Sequence, residues 1–139
     1  MPPVKNAHLL ELIFGRWPSF HDAEIHSIVL TRDRTGAPQN RPRLEATIHV
    51  WEMTPEVDDK GFYVLKDHTM VTLAFDSITD LSLNGFNHQN VLWDLEIVQE
   101  LCEQVITVTM PTSYGCEAKF KCESIEVVSA VPYPVQKSE

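Results

Sequence analysis

Between Leu44 and Met53 the chain alternates apolar and polar residues, with Leu44, Ala46, Ile48 and Val50 to one side and Glu45, Thr47, His49 and Trp51 to the other. A two-residue period marks a strand with one buried and one wet face. The same period places Val71, Leu73 and Phe75 together within His68–Phe75. It also sets Cys116, Ala118, Phe120 and Cys122 opposite Glu117, Lys119 and Lys121. Further strands are predicted at Asp22–Asp33, Phe62–Leu65, Ile78–Leu83, Val91–Ile97, Val105–Met110 and Ser124–Ala130. A helical stripe occurs near the N-terminus, where Leu9, Leu10, Ile13 and Phe14 share a side. Asn6 is placed to cap that helix, Gly15 to end it, and Pro18 to keep it from resuming. Turn-forming residues fill Arg34–Arg43 and the acidic Pro55–Gly61, and the tail from Pro132 is expected to be loose. The pattern predicts an α+β fold: a short N-terminal helix followed by a mainly antiparallel β-sheet of about seven or eight strands.

The length, 139 residues, suits one domain, with a core over about residues 6–131. No window approaches the roughly 20 apolar residues of a membrane helix, and Met1–Lys5 lacks the apolar centre of a signal peptide. Cys102, Cys116 and Cys122 are odd in number and form no C-x-x-C pair, so they read as small buried hydrophobes in a reducing cytoplasm rather than as disulfides or zinc ligands. The net charge is −9 and uneven. Residues 1–70 carry 8 Lys and Arg against 10 Asp and Glu (−2), and residues 71–139 carry 3 against 10 (−7). That balance argues against nucleic-acid binding, which needs positive charge along the phosphates; it suits a basic partner, or equally the mild acidity that keeps many proteins soluble.

Chemistry is sparse. His21-Asp22-Ala23-Glu24-Ile25-His26 offers imidazoles and carboxylates. On a strand Asp22, Glu24 and His26 would share a side, opposite Ala23, Ile25 and Val29. This is either the wet face of a strand or, with His49, the start of a small metal-dependent enzyme. Three side chains in line on one strand converge poorly on one ion, and no catalytic residue, metal or cofactor is assigned. The sequence has no Gly-x-Ser-x-Gly elbow and no glycine-rich phosphate loop, and Cys116 after Gly115 is the best-placed thiol for a nucleophile. A ligand pocket at the two unusual connectors is a third reading. One of these is Trp17-Pro18-Ser19-Phe20-His21-Asp22, and the other is Gly85-Phe86-Asn87-His88-Gln89-Asn90, whose amides could equally satisfy backbone groups of a tight turn. Trp93 followed by Asp94, Glu96, Glu100 and Glu103 reads either as a core Trp beside a solvated acidic face or as an aromatic anchor among acids, the composition of a surface for a basic protein.

The run Gly15–Glu24, with Trp17, Pro18, Phe20, His21, Asp22 and Glu24, resembles the opening motif of the immunity protein 50 family of bacterial polymorphic-toxin systems. The likeness continues through Ile48–Met53, Val71–Phe75, Gly85–Val91 (with Gly85, Phe86, Asn87 and Asn90) and Gly115–Cys122, covering most of residues 13–131. The resemblance implies a cytoplasmic antidote that binds and blocks a toxin, with a basic nuclease as one candidate, and it implies no catalytic residue. It makes the motif residues mostly scaffold, since a surface that answers a toxin must vary with it.

Overall fold

A computed structural model describes residues 2–32, 41–100 and 102–134. It holds one helix, α1 (His8–Phe14), and ten strands: β1 (Glu24–Thr31), β2 (Arg43–Val57), β3 (Tyr63–Asp76), β4 (Thr79–Asn84), β5 (Val91–Leu92), β6 (Glu96–Gln99), β7 (Ile106–Met110), β8 (Thr112–Tyr114), β9 (Glu117–Cys122) and β10 (Ser124–Pro132). They form a six-stranded sheet, ordered β10-β3-β2-β1-β5-β8, and a four-stranded sheet, ordered β4-β9-β7-β6. Every strand pair in both sheets is antiparallel. The fold is α+β with sheet dominant, as the pattern predicted.

The two sheets share one core. Leu44, Ala46, Ile48 and Val50 of β2, with Val71, Leu73 and Phe75 of β3, are completely buried, facing Ala118, Phe120 and Cys122 of β9. Phe75 and Phe120 meet edge to face at 5.0 Å across the two sheets. Such a contact adds about 1 kcal/mol to the area each ring buries. Two of the places where the chain changes sheets adjoin, β3 to β4 and β9 to β10, and there the Glu123 N–H donates to the Asp76 carbonyl at 2.9 Å. Arg43 sits beside them, 9% exposed, bonded through Nε to Glu45 (3.0 Å) and through Nη1 to Asp76 (3.2 Å). Burial alone would lower the Arg43 pKa; Glu45 and Asp76 outweigh it and hold it above its usual value.

Several expectations change in detail. The cap position of α1 is Ala7, which makes no side-chain cap bond, and Asn6 adopts φ 61, so Asn6 is not the cap. Gly15 does end it, at φ 77, with its N–H on the Glu11 carbonyl. Phe62–Leu65 and His68–Phe75 merge into β3, which absorbs a register shift against β2 between Val50 and Glu52 with Asp67 at φ 56. Val91–Ile97 divides instead into β5 and β6, which lie in different sheets. β8 is an added strand. Pro132 closes β10, and the Tyr133 N–H donates to the His68 carbonyl at 2.9 Å, so these two residues are held rather than loose. Asp33, positions 34–40 and positions 135–139 lie outside the described residues.

β2 and β3 outrun their neighbours. β1 pairs with β2 only over Arg43–His49, and β10 with β3 only over Thr69–Asp76. The hairpin then continues as a two-stranded arm, residues 52–66, reaching roughly 20 Å further at the usual rise per residue. Its turn is closed by Asp58, whose side chain accepts the Lys60 and Phe62 N–H groups, with Gly61 at φ 84.

Candidate functional site

The first motif forms a corner between α1 and β1. Pro18 and Phe20 are buried, and Trp17 packs half-buried against Phe20 with ring centroids 5.6 Å apart. Asp22 takes φ 68, and its N–H donates to the Leu92 carbonyl. Because strand geometry starts only at Glu24, Asp22 does not share a strand face with Glu24 and His26. His26 itself is the extra residue of a bulge, since Ile25 pairs with Ile48 and Ser27 with Thr47. The bulge reverses the alternation. Ile28 therefore turns inward and Val29, expected beside Ile25, is 51% exposed.

His21 reaches across to the segment after β5. Its Nδ1 lies 2.7 Å from the Trp93 carbonyl oxygen, and the two rings meet edge to face at 4.7 Å. A carbonyl can only accept, so Nδ1 carries the proton. Nε2 lies 3.6 Å from the Asp22 carboxylate. Trp93 is 59% exposed, its N–H held by the Pro111 carbonyl. Asp94, Glu96, Glu100 and Glu103, which follow it in the chain, are all exposed; β6, the edge of the smaller sheet, runs from Glu96 away from the Trp93 end toward Glu100 and Glu103.

The second motif closes on Asn90, which is 3% exposed. Its Oδ1 accepts the N–H groups of Asn87 (2.9 Å) and Cys116 (3.1 Å), and its Nδ2 donates to the Asn87 carbonyl (2.9 Å). Gly85 and Gly115 make room for this knot. A Cβ on Gly115 would stand 2.3 Å from the Gln89 carbonyl oxygen, and one on Gly85 would stand 2.7 Å from that of Gly115. Phe86 is exposed at 49%.

A further group lies on the outer face of the larger sheet, where His49 Nε2 and His68 Nδ1 are 3.0 Å apart. The Tyr133 ring stacks on His49 at 3.8 Å, and Trp51 and His26 border it. Burial first, then the neighbouring His68 and His26, lowers the His49 pKa to about 4. The sequence reading missed His68 and Tyr133, although His49 and His68 stand nine residues on either side of the Asp58-Asp59 turn.

The metal-enzyme reading finds no constellation here. His21 is committed to Trp93 and His49 to His68. Among the described residues no group of three His, Cys, Asp or Glu is placed to hold a metal ion. The thiol of Cys116 is buried, and burial raises its pKa, which disfavours the thiolate a nucleophile needs. At the root of the arm, a cleft of about 160 Å³ is lined by Phe14, Arg16, Pro18, Trp51, Glu52 and Met53 among others. It is small for a metabolite site. No helix among the described residues is long and apolar enough to cross a membrane.

No curated protein and no solved structure matches the chain. The family model for Immunity protein 50 does, over residues 6–133. That span takes in the aromatic corner, the Asn90 knot, both sheets and the His49 cluster, and the chain belongs to the Immunity protein 50 family.

Proposed function

We propose that this protein is a non-enzymatic immunity protein that acts in the cytoplasm, binding a cognate bacterial toxin and blocking it by occlusion. The observation that carries this reading is membership of the Immunity protein 50 family. The charge supports it: an acidic surface raises the association rate with a basic partner such as a nuclease, and fixes its orientation. Trp93, exposed and followed in the chain by Asp94, Glu96, Glu100 and Glu103, has the composition of an interface anchor, where one indole in a pocket can carry a large share of the affinity.

The motif residues are scaffold in this reading. Trp17, Pro18 and Phe20 pin the helix to the larger sheet, and His21 and Asp22 tie that corner to the β5 segment. Glu24 starts β1 between β2 and β5. Gly85, Asn87 and Asn90 build the knot against Gly115, with Phe86 at its surface. Such a frame leaves the surface around Trp93 free to vary with the toxin.

Co-expression with the product of the adjacent toxin gene tests the reading. Protected cells and a co-purifying complex are expected. Unprotected cells and no complex would overturn it.

A further inference from the structure

We propose that the β2–β3 arm is the element that enters the toxin, and that its counterpart is an apolar cleft rimmed by Lys and Arg. This rests on the toxin-binding reading above and deepens it. On the arm Met53 stands opposite Leu65 and Val57 opposite Tyr63, with a register shift on β2 between Met53 and Val57, and Leu65 and Tyr63 are two residues apart on β3. Directly opposed residues share a face, as do residues two apart on a strand, so the four form one apolar patch. They are exposed at 55, 38, 58 and 58% for Met53, Leu65, Val57 and Tyr63. Phe62, at the turn, is exposed at 68%.

An isolated two-stranded ribbon is marginal in water, and an exposed, apolar, unpaired edge invites another protein. Neither long edge of this arm has a strand partner among the described residues, so its exposed side chains are free to dock. The arm also lies at the same end of the sheet as Trp93. Glu24 pairs with both His49 and Val91, and from that shared row β2 runs on into the arm while β5 runs in the same direction to Trp93. A partner that covers the arm and its root therefore has the indole within its footprint.

Charge chooses the occupant. Glu56, Asp58 and Asp59 crowd the tip, with Lys60 as the cation among them. Two copies, each at −9, repel one another, and an anionic membrane repels the tip. A cleft with a basic rim satisfies both the acids and the apolar patch.

The test pairs the intact protein with the product of the adjacent toxin gene and measures affinity by calorimetry. Val57→Asp/Tyr63→Asp is expected to weaken binding at least 100-fold with an unchanged melting temperature. Val29→Asp, at the opposite end of the sheet, is expected to bind as the wild type does. In hydrogen exchange on the wild-type complex, amides of residues 52–66 are expected to gain protection, which decides the matter even if the double variant fails to fold. Wild-type binding with an unaffected double variant and no protection of the arm would overturn the arm while leaving toxin binding intact. A wild type that binds no toxin would overturn both. A wild-type dimer that the double variant dissociates would make the arm a self-interface and overturn the proposal.

Discussion

His21 and Trp93, 72 residues apart in the chain, are locked together by a 2.7 Å hydrogen bond from Nδ1 to the Trp93 carbonyl and by an edge-to-face ring contact at 4.7 Å. The bond fixes the backbone that presents an exposed indole. His21→Ala removes one partly solvated hydrogen bond and one ring contact, for an expected loss of about 1 kcal/mol. In a chain of this size that lowers the melting temperature by about 3–5 °C. Trp93→Ala, which keeps the carbonyl, is expected to melt nearer the wild type. A His21→Ala protein that melts with the wild type would show that the contact contributes nothing.

Asn90 supports the strand that leads to Trp93. Asn90→Ala orphans the Cys116 N–H, which is buried, and opens the Asn87 turn, for an expected cost of about 3 kcal/mol. Gly115→Ala forces a side chain into φ +83 and against the Gln89 carbonyl, so its cost is of similar size. Denaturant unfolding of each variant measures this. A change below about 0.5 kcal/mol in both would contradict the knot.

The cysteines differ in reach. Cys116 and Cys122 are buried as expected, but Cys102, also expected in the core, is exposed in the turn between β6 and β7. Burial, with a smaller push from Asp76, raises the Cys122 pKa to about 12. A thiol reagent at pH 8 is expected to label Cys102 rapidly and the other two only on unfolding. Rapid labelling of all three in the folded protein would contradict the packing of β9.

His49 makes stability depend on pH. Its folded-state pKa, lowered from 6.5 to about 4, keeps the ring neutral where an unfolded chain already binds a proton. Stability therefore falls as pH drops from about 6.5 to about 4, and levels below that. The ring is partly solvated, so the expected loss is about 1–2 kcal/mol rather than the full linkage value. Facing it are His68, His26, Tyr133 and Trp51, with Glu24 opposite in the register. His49→Phe, which retains a ring to stack on Tyr133, is expected to lose less stability between pH 7 and pH 4.5. Parallel curves for the two proteins would contradict this account.

The strands that build the core are legible because alternation is a local signal. Every apolar position read from Leu44 to Val50, and from Cys116 to Cys122, is buried. What the sequence hides is non-local. Val91–Ile97 looks continuous, yet Trp93 is held by Pro111 and Asp94 turns the chain by accepting the Leu95 N–H, so the segment feeds two sheets. A single bulge at His26 moves Val29 from the expected inner face to the outer. The arm was readable only in part: Pro55–Val57, expected in the acidic turn, continue β2, and the arm's exposure follows from where β1 and β10 stop, which no local pattern records. The Trp17–Asp22 run marks the family more clearly than it shows how the protein acts.

Occlusion makes a stoichiometric demand, so the most direct measurement is a titration of toxin activity with purified protein at toxin concentrations well above the dissociation constant. The account predicts a linear fall in activity to an end point at one protein per toxin, with activity recovered when the complex is dissociated. Inactivation by substoichiometric protein, or full toxin activity at excess protein, would contradict it.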